Sequence, residues 1–383
     1  MLTQEKLFSL IEAERENMLR LWRELVDIDC GPGCKEGVDA IACKLETIVQ
    51  QMGFTTKQVV FEKAGNALVA SYGDCSKPFI FLTGHMDTVF HKGTVAQRSF
   101  KIEDGKAYGP GVLDMKGGVV IMLAALKILL ADGYDKHPIK IVLAGDEEVT
   151  HANSTAHETI MQEAKGALAA FNFETGFMDN GLVTERKGSL QFAMEVFGRS
   201  AHVGNDPENG RSAIKEIARK LLEIENMTDW ERGITMNVGV IEGGTVCNAT
   251  PAYAKITCDM RYVDGACLPE MKNKLQAIAA KQYVPDTTTK LSIISEFREM
   301  RMLPQTAALF KLVAEAAQTC GLPQPHPKAV GGASDSAYTT AVGVPTICAM
   351  GVQGARNHTA EEYAVVDTLF SRCRLFATVM ELL

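Results

Sequence analysis

The chain has no apolar run reaching the roughly 18 residues that a membrane-spanning helix needs, no Lys/Arg cluster and no CxxC cysteine pair. The first absence leaves no helical membrane span. The second, with a formal charge of −8, argues against nucleic acid as a partner. Ten cysteines are scattered without a compact framework, Cys30 and Cys34 being the closest pair. Spacing of this kind in a large chain points to reduced, packed thiols and a cytoplasmic protein. No internal repeat, low-complexity tract, Walker-type GK[ST] or Rossmann GxGxxG context occurs. The N-terminus lacks a signal-peptide core. Its Leu7, Leu10, Ile11, Met18, Leu21, Trp22, Leu25 and Val26 instead recur at helical spacing between charges.

What is present describes an ordinary globular chain, 46% hydrophobic and 22% charged, and 383 residues predict two domains. Two helices open it, the second stopping at Gly53. Strand candidates follow at 58–61, 67–71, 79–83, 140–145 and 168–173, with a helix over 115–130. Apolar runs separated by helices predict a mostly parallel α/β sheet flanked by helices. Near residue 185 the pattern changes to alternation, as in Leu190, Phe192, Met194 and Val196, which marks a strand with one solvated face. Further strands are expected at 235–241, 254–261 and 290–297, with helices near 211–226 and 268–282. The helix-and-run pattern then returns, with a helix near 305–320, a run at 345–350 and a closing helix from 367. The expected organisation is a catalytic domain of residues 1–184 and 300–383, interrupted over 185–299 by an α+β domain with a four-stranded antiparallel sheet and two helices.

Chemistry-bearing residues stand directly after the predicted strands. His85 and Asp87 follow the run at 79–83, Glu147-Glu148 the run at 140–145, and Glu174 the run at 168–173. Ligand crevices of open α/β sheets lie outside the carboxyl ends of their strands, so these side chains can converge. With Asp114 and His358 they supply the imidazoles and carboxylates of a two-zinc site, in which Asp114 is the natural bridge. Asp87 is close enough to orient the His85 imidazole. Of the adjacent glutamates, one can bind metal while the other serves as general base. The competing reading of Asp114 is a cap for the helix expected at 115. His91, His137, His151, His157 and His326 match no ligand motif and are read as structural or solvated.

The motifs GHMDTVF (84–90), AYGPGVLDMKGG (107–118), GDEE (145–148), FET (173–175), SAHVG (200–204), GGTVCNATPA (243–252), CDMRY (258–262), GGASDSAY (331–338) and NHTAEEY (357–363) resemble, in order, those of the zinc exopeptidases and deacylases. That family includes glutamate carboxypeptidase, succinyl-diaminopimelate desuccinylase, acetylornithine deacetylase and aminoacylase-1, and the first branch is the most similar. The resemblance implies two zinc ions, replaceable by cobalt or manganese, with His85 and Glu174 on one, Glu148 and His358 on the other, and Asp114 bridging. It implies Glu147 as general base, Asp87 tuning His85, and His202 stabilising the oxyanion. Asn248, Arg261, Gly331 and Gly332 would hold the substrate carboxylate, and 185–299 would be a lid and homodimerisation domain.

The chain departs from the family at Val149-Thr150-His151, where Gly and Ser often follow the glutamate pair. It departs again at Gly181-Leu182-Val183, where the branch has a substrate-binding lysine; Arg186, Lys187, Arg298 and Arg301 are alternatives. The expected activity is cleavage of an amide bond next to a free carboxylate, in a small peptide as a glutamate-carboxypeptidase-like exopeptidase. The alternative is removal of an acyl group from an N-acyl amino acid. A catalytically silent binding protein would show a missing ligand or a replaced base, and none is missing.

Overall fold

A computed structural model describes residues 3–383. The apolar run that ends in His85 forms the strand Phe79–His85, buried along its whole length. Ile139–Ala144 and Ala167–Asn172 flank it in parallel. A six-stranded, mostly parallel sheet results, in the order Thr55–Val59, Ala67–Tyr72, Ile139–Ala144, Phe79–His85, Ala167–Asn172, Thr346–Ile347. Ala67–Tyr72 runs antiparallel to both of its neighbours. The first strand lies earlier than the expected 58–61, because Thr55–Val59 pairs residue by residue with Ala67–Ser71.

The helix Gly117–Ala131 is apolar on nearly every side and correspondingly buried, as a helix without a polar face must be. It packs between the helices Gln4–Val26 and Val366–Leu382. Trp22, fully buried, donates its indole N–H to the Val112 carbonyl at 3.0 Å and ties the first helix to the loop before Asp114. The helix starts at Gly117 rather than 115, because Asp114 and Met115 have non-helical dihedrals within the wide turn Val112–Lys116.

Four short strands, Lys101–Glu103, Lys106–Tyr108, Gly354–Ala355 and Tyr363–Val365, form a separate antiparallel sheet. Segments of two or three residues carry no readable alternation. This sheet nevertheless frames the loops that hold Asp114 and His358.

The chain divides into two compact units. One runs to Glu185 and resumes over Met300–Val330 and Ser334–Leu383; the other is Arg186–Glu299 with Gly331–Ala333. The second unit has a four-stranded antiparallel sheet in the order Thr235–Gly243, Tyr253–Tyr262, Gly188–Phe197, Thr288–Phe297. Along Tyr253–Tyr262, Ala254, Ile256, Cys258, Met260 and Tyr262 alternate into the core, where the helices Ala213–Glu225 and Leu268–Ala280 cover the sheet. Among the described residues no helix is long and apolar enough to cross a membrane.

Inside the second unit, Lys220 and Glu216 are both fully buried, 3.2 Å apart. The Lys220 ammonium donates to the carbonyls of Ile278, Ala279 and Lys281 at 2.9, 2.8 and 2.7 Å, capping one helix from another. Glu216 accepts the N–H groups of Tyr283 and Val284 at 2.8 and 2.7 Å. Removing one partner of such a pair strands the other in the core. Lys220→Met should therefore lower the unfolding free energy by about 3–5 kcal/mol in urea titrations; a loss below about 1 kcal/mol would show that the pair does not brace the helices.

Candidate active site

Three parallel strands deliver their carboxyl ends to one place. His85 closes its strand, Glu147 and Glu148 follow Ile139–Ala144, and Glu174 follows Ala167–Asn172. Close packing behind them needs two glycines. A Cβ at Gly84 would lie 2.2 Å from the Met115 methyl, and one at Gly118 would lie 1.9 Å from the Phe173 carbonyl oxygen. The helix that follows Asp114 can thus sit directly against the backbone that leads to Glu174.

The side chains meet as two triads, His85–Asp114–Glu174 and Asp114–Glu148–His358, in each of which the ligand atoms lie within 4.8 Å of one another. His85 Nε2 is 3.2 Å from Asp114 Oδ1 and 3.7 Å from Glu174 Oε1. His358 Nε2 is 3.2 Å from both Asp114 Oδ2 and Glu148 Oε2. Asp114 faces both imidazoles and does not cap the following helix. His85 Nδ1 is 3.1 Å from the Asp87 carbonyl oxygen and 3.4 Å from its carboxylate. That carboxylate also accepts the backbone N–H groups of Glu147 and Glu148 at 3.1 and 3.0 Å, which holds the glutamate pair in its turn. His358 adopts a left-handed φ of 64°, a conformation costing a non-glycine residue about 1–2 kcal/mol.

The donor set fits two divalent cations. Asp87, Asp114, Glu147 and Glu174 are all at least nine-tenths buried, yet among the described residues two imidazoles, His85 and His358, stand against these acids and Glu148. Glu148 Oε1 is buried without a hydrogen-bond partner among the described residues. Burial opposes ionisation of Asp114, but the bonds from His358 and His85 outweigh it and hold that carboxyl far below the usual range. The bonds to Asp114 and Glu148 raise His358 to about 11. Burial, reinforced by the Asp114 charge, raises Glu148 to about 7; burial, reinforced by the Glu174 charge, pushes Glu147 well above the ordinary range. Imidazole and carboxylate ligands joined by one bridging aspartate suit zinc. This is a binuclear metal-binding site with Asp114 shared.

Residues that the motif reading leaves without a role complete the surroundings. Glu362 accepts the N–H groups of Gly111, Leu113 and Asp114 at 3.2, 2.8 and 3.1 Å, fixing the loop of the shared aspartate. Asn357 donates to Asp114 Oδ2 at 3.1 Å. Both lie within NHTAEEY, where only His358 was singled out. His151, read as structural or solvated, is buried and bridges two buried aspartates: Nδ1 lies 3.0 Å from Asp146 and Nε2 2.7 Å from Asp335. Its position three residues past the glutamate pair was the available signal.

The remaining predicted residues belong to the second unit. His202 is exposed and pairs across an isolated bridge with Ala249, beside Asn248. Its Nδ1 accepts the N–H groups of Gly204 and Asn205 at 3.1 and 3.2 Å, so the neutral ring carries its proton on Nε2. Arg261 meets Gly331, donating to its carbonyl at 3.4 Å, while Nε and Nη2 hold Asp259 at 2.6 and 3.0 Å. Gly332 receives a hydrogen bond from Arg186 at 3.1 Å.

A mixed α/β sheet with two metal-binding triads at its carboxyl edge defines a metal-dependent hydrolase. The sequence profile of peptidase family M20/M25/M40 matches residues 81–382, and the chain belongs to that family. It is 28% identical to carboxypeptidase G2 of Pseudomonas sp. (strain RS-16), over 98% of this chain and 91% of that one. With succinyl-diaminopimelate desuccinylase of Bradyrhizobium sp. it shares 24% identity over 88% and 92% of the two chains. The fold is that of aminopeptidase PepT from Bacillus cereus, with a TM-score of 0.76 at 21% identity over 96% and 98% of the two chains.

Bridging two carboxylates requires both ring nitrogens of His151 to donate. Burial opposes its charge, yet Asp335 and Asp146 raise it to about 10. A raised basic group stabilises fully below its unfolded value near 6.5 and loses that contribution as pH rises through about 10. His151→Ala should therefore cost about 3–5 kcal/mol at pH 6, and the gap from the parent should narrow towards pH 10 in urea titrations. A gap independent of pH would refute the charged bridge.

Proposed function

We propose that the chain hydrolyses N-acyl amino acids, removing a small acyl group from an amino acid that keeps its free carboxylate. The observation carrying this reading is the pair of triads meeting at Asp114, with Glu147, a member of neither, close enough to feel His85 and Glu174. His85, Asp114 and Glu174 would hold one zinc ion, and Asp114, Glu148 and His358 the other. Two such cations supply a polarised carbonyl and an acidified water.

The chain's own groups do the rest. Glu147 takes the proton of the attacking water and returns it to the leaving nitrogen, and its burial favours a carboxyl that can hold a proton in between. Asp87 keeps Glu147 aimed through the backbone and orients His85. His202, with its proton on Nε2, is suited to stabilise an oxyanion. Arg261 holds Asp259 through Nε and Nη2 and the Gly331 carbonyl through Nη1; its remaining Nη N–H groups suit a substrate carboxylate, with Gly331 and Gly332 alongside and Asn248 as a further residue for that group.

An acyl-amino-acid substrate is favoured over a C-terminal glutamate because Gly181-Leu182-Val183 offers no cation for a second carboxylate. Leu182 and Val183 are buried apolar residues of a strand, and a desuccinylase is among the relatives. The carboxypeptidase reading has its own support in the match to carboxypeptidase G2 over nearly the whole chain. A cytoplasmic homodimer formed through the second unit belongs to the proposal. The dimer is supported by Val240 and Ile241 on one edge strand and Ile293 and Ile294 on the other, all exposed.

The zinc-loaded protein, offered a panel of N-acyl amino acids and C-terminal dipeptides, should turn over the acylated series faster. Glu147→Gln should lower kcat by about 10²–10⁴-fold with two metals per chain retained. Faster dipeptide cleavage would favour the exopeptidase, and an active Glu147→Gln would remove Glu147 as base. His202→Ala should lower kcat by about 10²–10³-fold without loss of metal; equal loss of both would overturn its assignment.

A further inference from the structure

Arg372 lies in the helix Val366–Leu382, 5% exposed. Its Nη2 has no hydrogen-bond partner among the described residues. Among the described residues no acidic group offsets the charge there, and burial lowers the guanidinium to about 10. Buried arginines are ordinarily paired, because an isolated charge away from water is costly. Two other buried cations of this unit follow that rule: Lys116 donates to the carbonyls of Ile28 and Pro110, and His151 lies between two aspartates.

The side chain lines a cavity of about 80 Å³, well above the roughly 10–15 Å³ that one water requires. Asn180, Gln353 and Ser371 provide its other polar walls, and Leu322, Pro325 and Leu375 its apolar ones. The Gln353 amide is fixed by donation to the Phe177 carbonyl at 2.5 Å and to Asn180 Oδ1 at 2.9 Å. That bond orients Asn180 with its oxygen engaged and its amide N–H groups available. One wall of the cavity therefore carries donors and a fixed positive charge, and no carboxylate lines it.

We propose that this cavity is a binding site for a small carboxylate monoanion of about the size of acetate, held by the planar fork of Arg372. A guanidinium presents paired N–H groups that match a carboxylate bidentately, and a volume of about 80 Å³ matches a small organic anion. The site is separate from the two triads and does not depend on the proposed reaction. Its wall is nevertheless built from the segments that continue to them: Gly351 N–H donates to Glu174 O at 2.9 Å, Gly176 N–H to Val352 O at 2.8 Å, and the chain beyond Gln353 leads to His358.

The test is thermal unfolding of the zinc-loaded protein, first in a buffer whose only anion is a bulky sulfonate, then with acetate, nitrate or chloride added. Acetate should raise the unfolding temperature saturably by about 2–5 °C, and nitrate, also planar, should do so more weakly. Arg372→Met should fold, match or exceed the parent in the sulfonate buffer because it removes an unpaired buried charge, and lose the acetate response. Any response left in Arg372→Met reports acetate at the metal centre and is subtracted. Arg372→Lys keeps the charge without the fork and should weaken apparent acetate affinity about tenfold; it serves as the readout if the methionine variant does not fold. An acetate response unchanged in both variants, or none in the parent, overturns the proposal. A response to chloride alone overturns the carboxylate assignment. Destabilisation of Arg372→Met in the sulfonate buffer, equal to that in acetate, would show that Arg372 is held by the protein itself and overturns the site.

Discussion

The mutual repulsion of carboxylates gathered out of water governs this structure more than any other term. Asp87, Asp114, Glu147, Glu148 and Glu174 converge at one edge of a sheet, and at an effective dielectric of about 20 two unit charges 4 Å apart interact by about 4 kcal/mol. Apolar packing cannot offset several such terms. Positive charge must enter the cluster as protons or as metal ions, and the two triads sharing Asp114 are places where two cations would relieve that repulsion.

The fold is arranged to hold that cluster against its own repulsion. Parallel strands bring their carboxyl ends together, and the flanking helices exclude water behind them. Backbone N–H groups are then spent on the acids: two from the glutamate turn on Asp87, and three from the Gly111–Asp114 loop on Glu362. Each bond fixes a loop as well as satisfying a charge. The buried helix Gly117–Ala131 supplies a rigid floor, which is why the glycine at its start must admit the Phe173 carbonyl so closely.

Much of this could be read in the sequence, for a definite reason. Buried strands are continuous apolar runs, and the ligands directly follow them, so position and chemistry coincide at His85, Glu147-Glu148 and Glu174. The antiparallel sheet announces itself through alternation, as along Tyr253–Tyr262. What escaped the pattern lacks a period. The strands framing His358 have two or three residues, the turn at Val112–Lys116 breaks a helix that apolar spacing extends to 115, and the first strand is displaced because pairing with Ala67–Tyr72, not local hydrophobicity, sets its register. Arg372 is one more cation in an amphipathic helix until the tertiary structure removes its partners.

The departure from family pattern after the glutamate pair acquires a physical meaning in the same terms. Glycine and serine at that point would leave Asp146 and Asp335 as two buried acids facing each other behind the site. His151 occupies the space between them, and only the doubly protonated ring can donate to both. The bridge joins the turn that carries Glu147 and Glu148 to the helix Ser336–Ala341, since Asp335 directly precedes that helix. It also sets a fixed positive charge behind the carboxylates, partly offsetting their repulsion. A residue that looks like a lost family feature is thus a second solution to the constraint that shapes the whole centre.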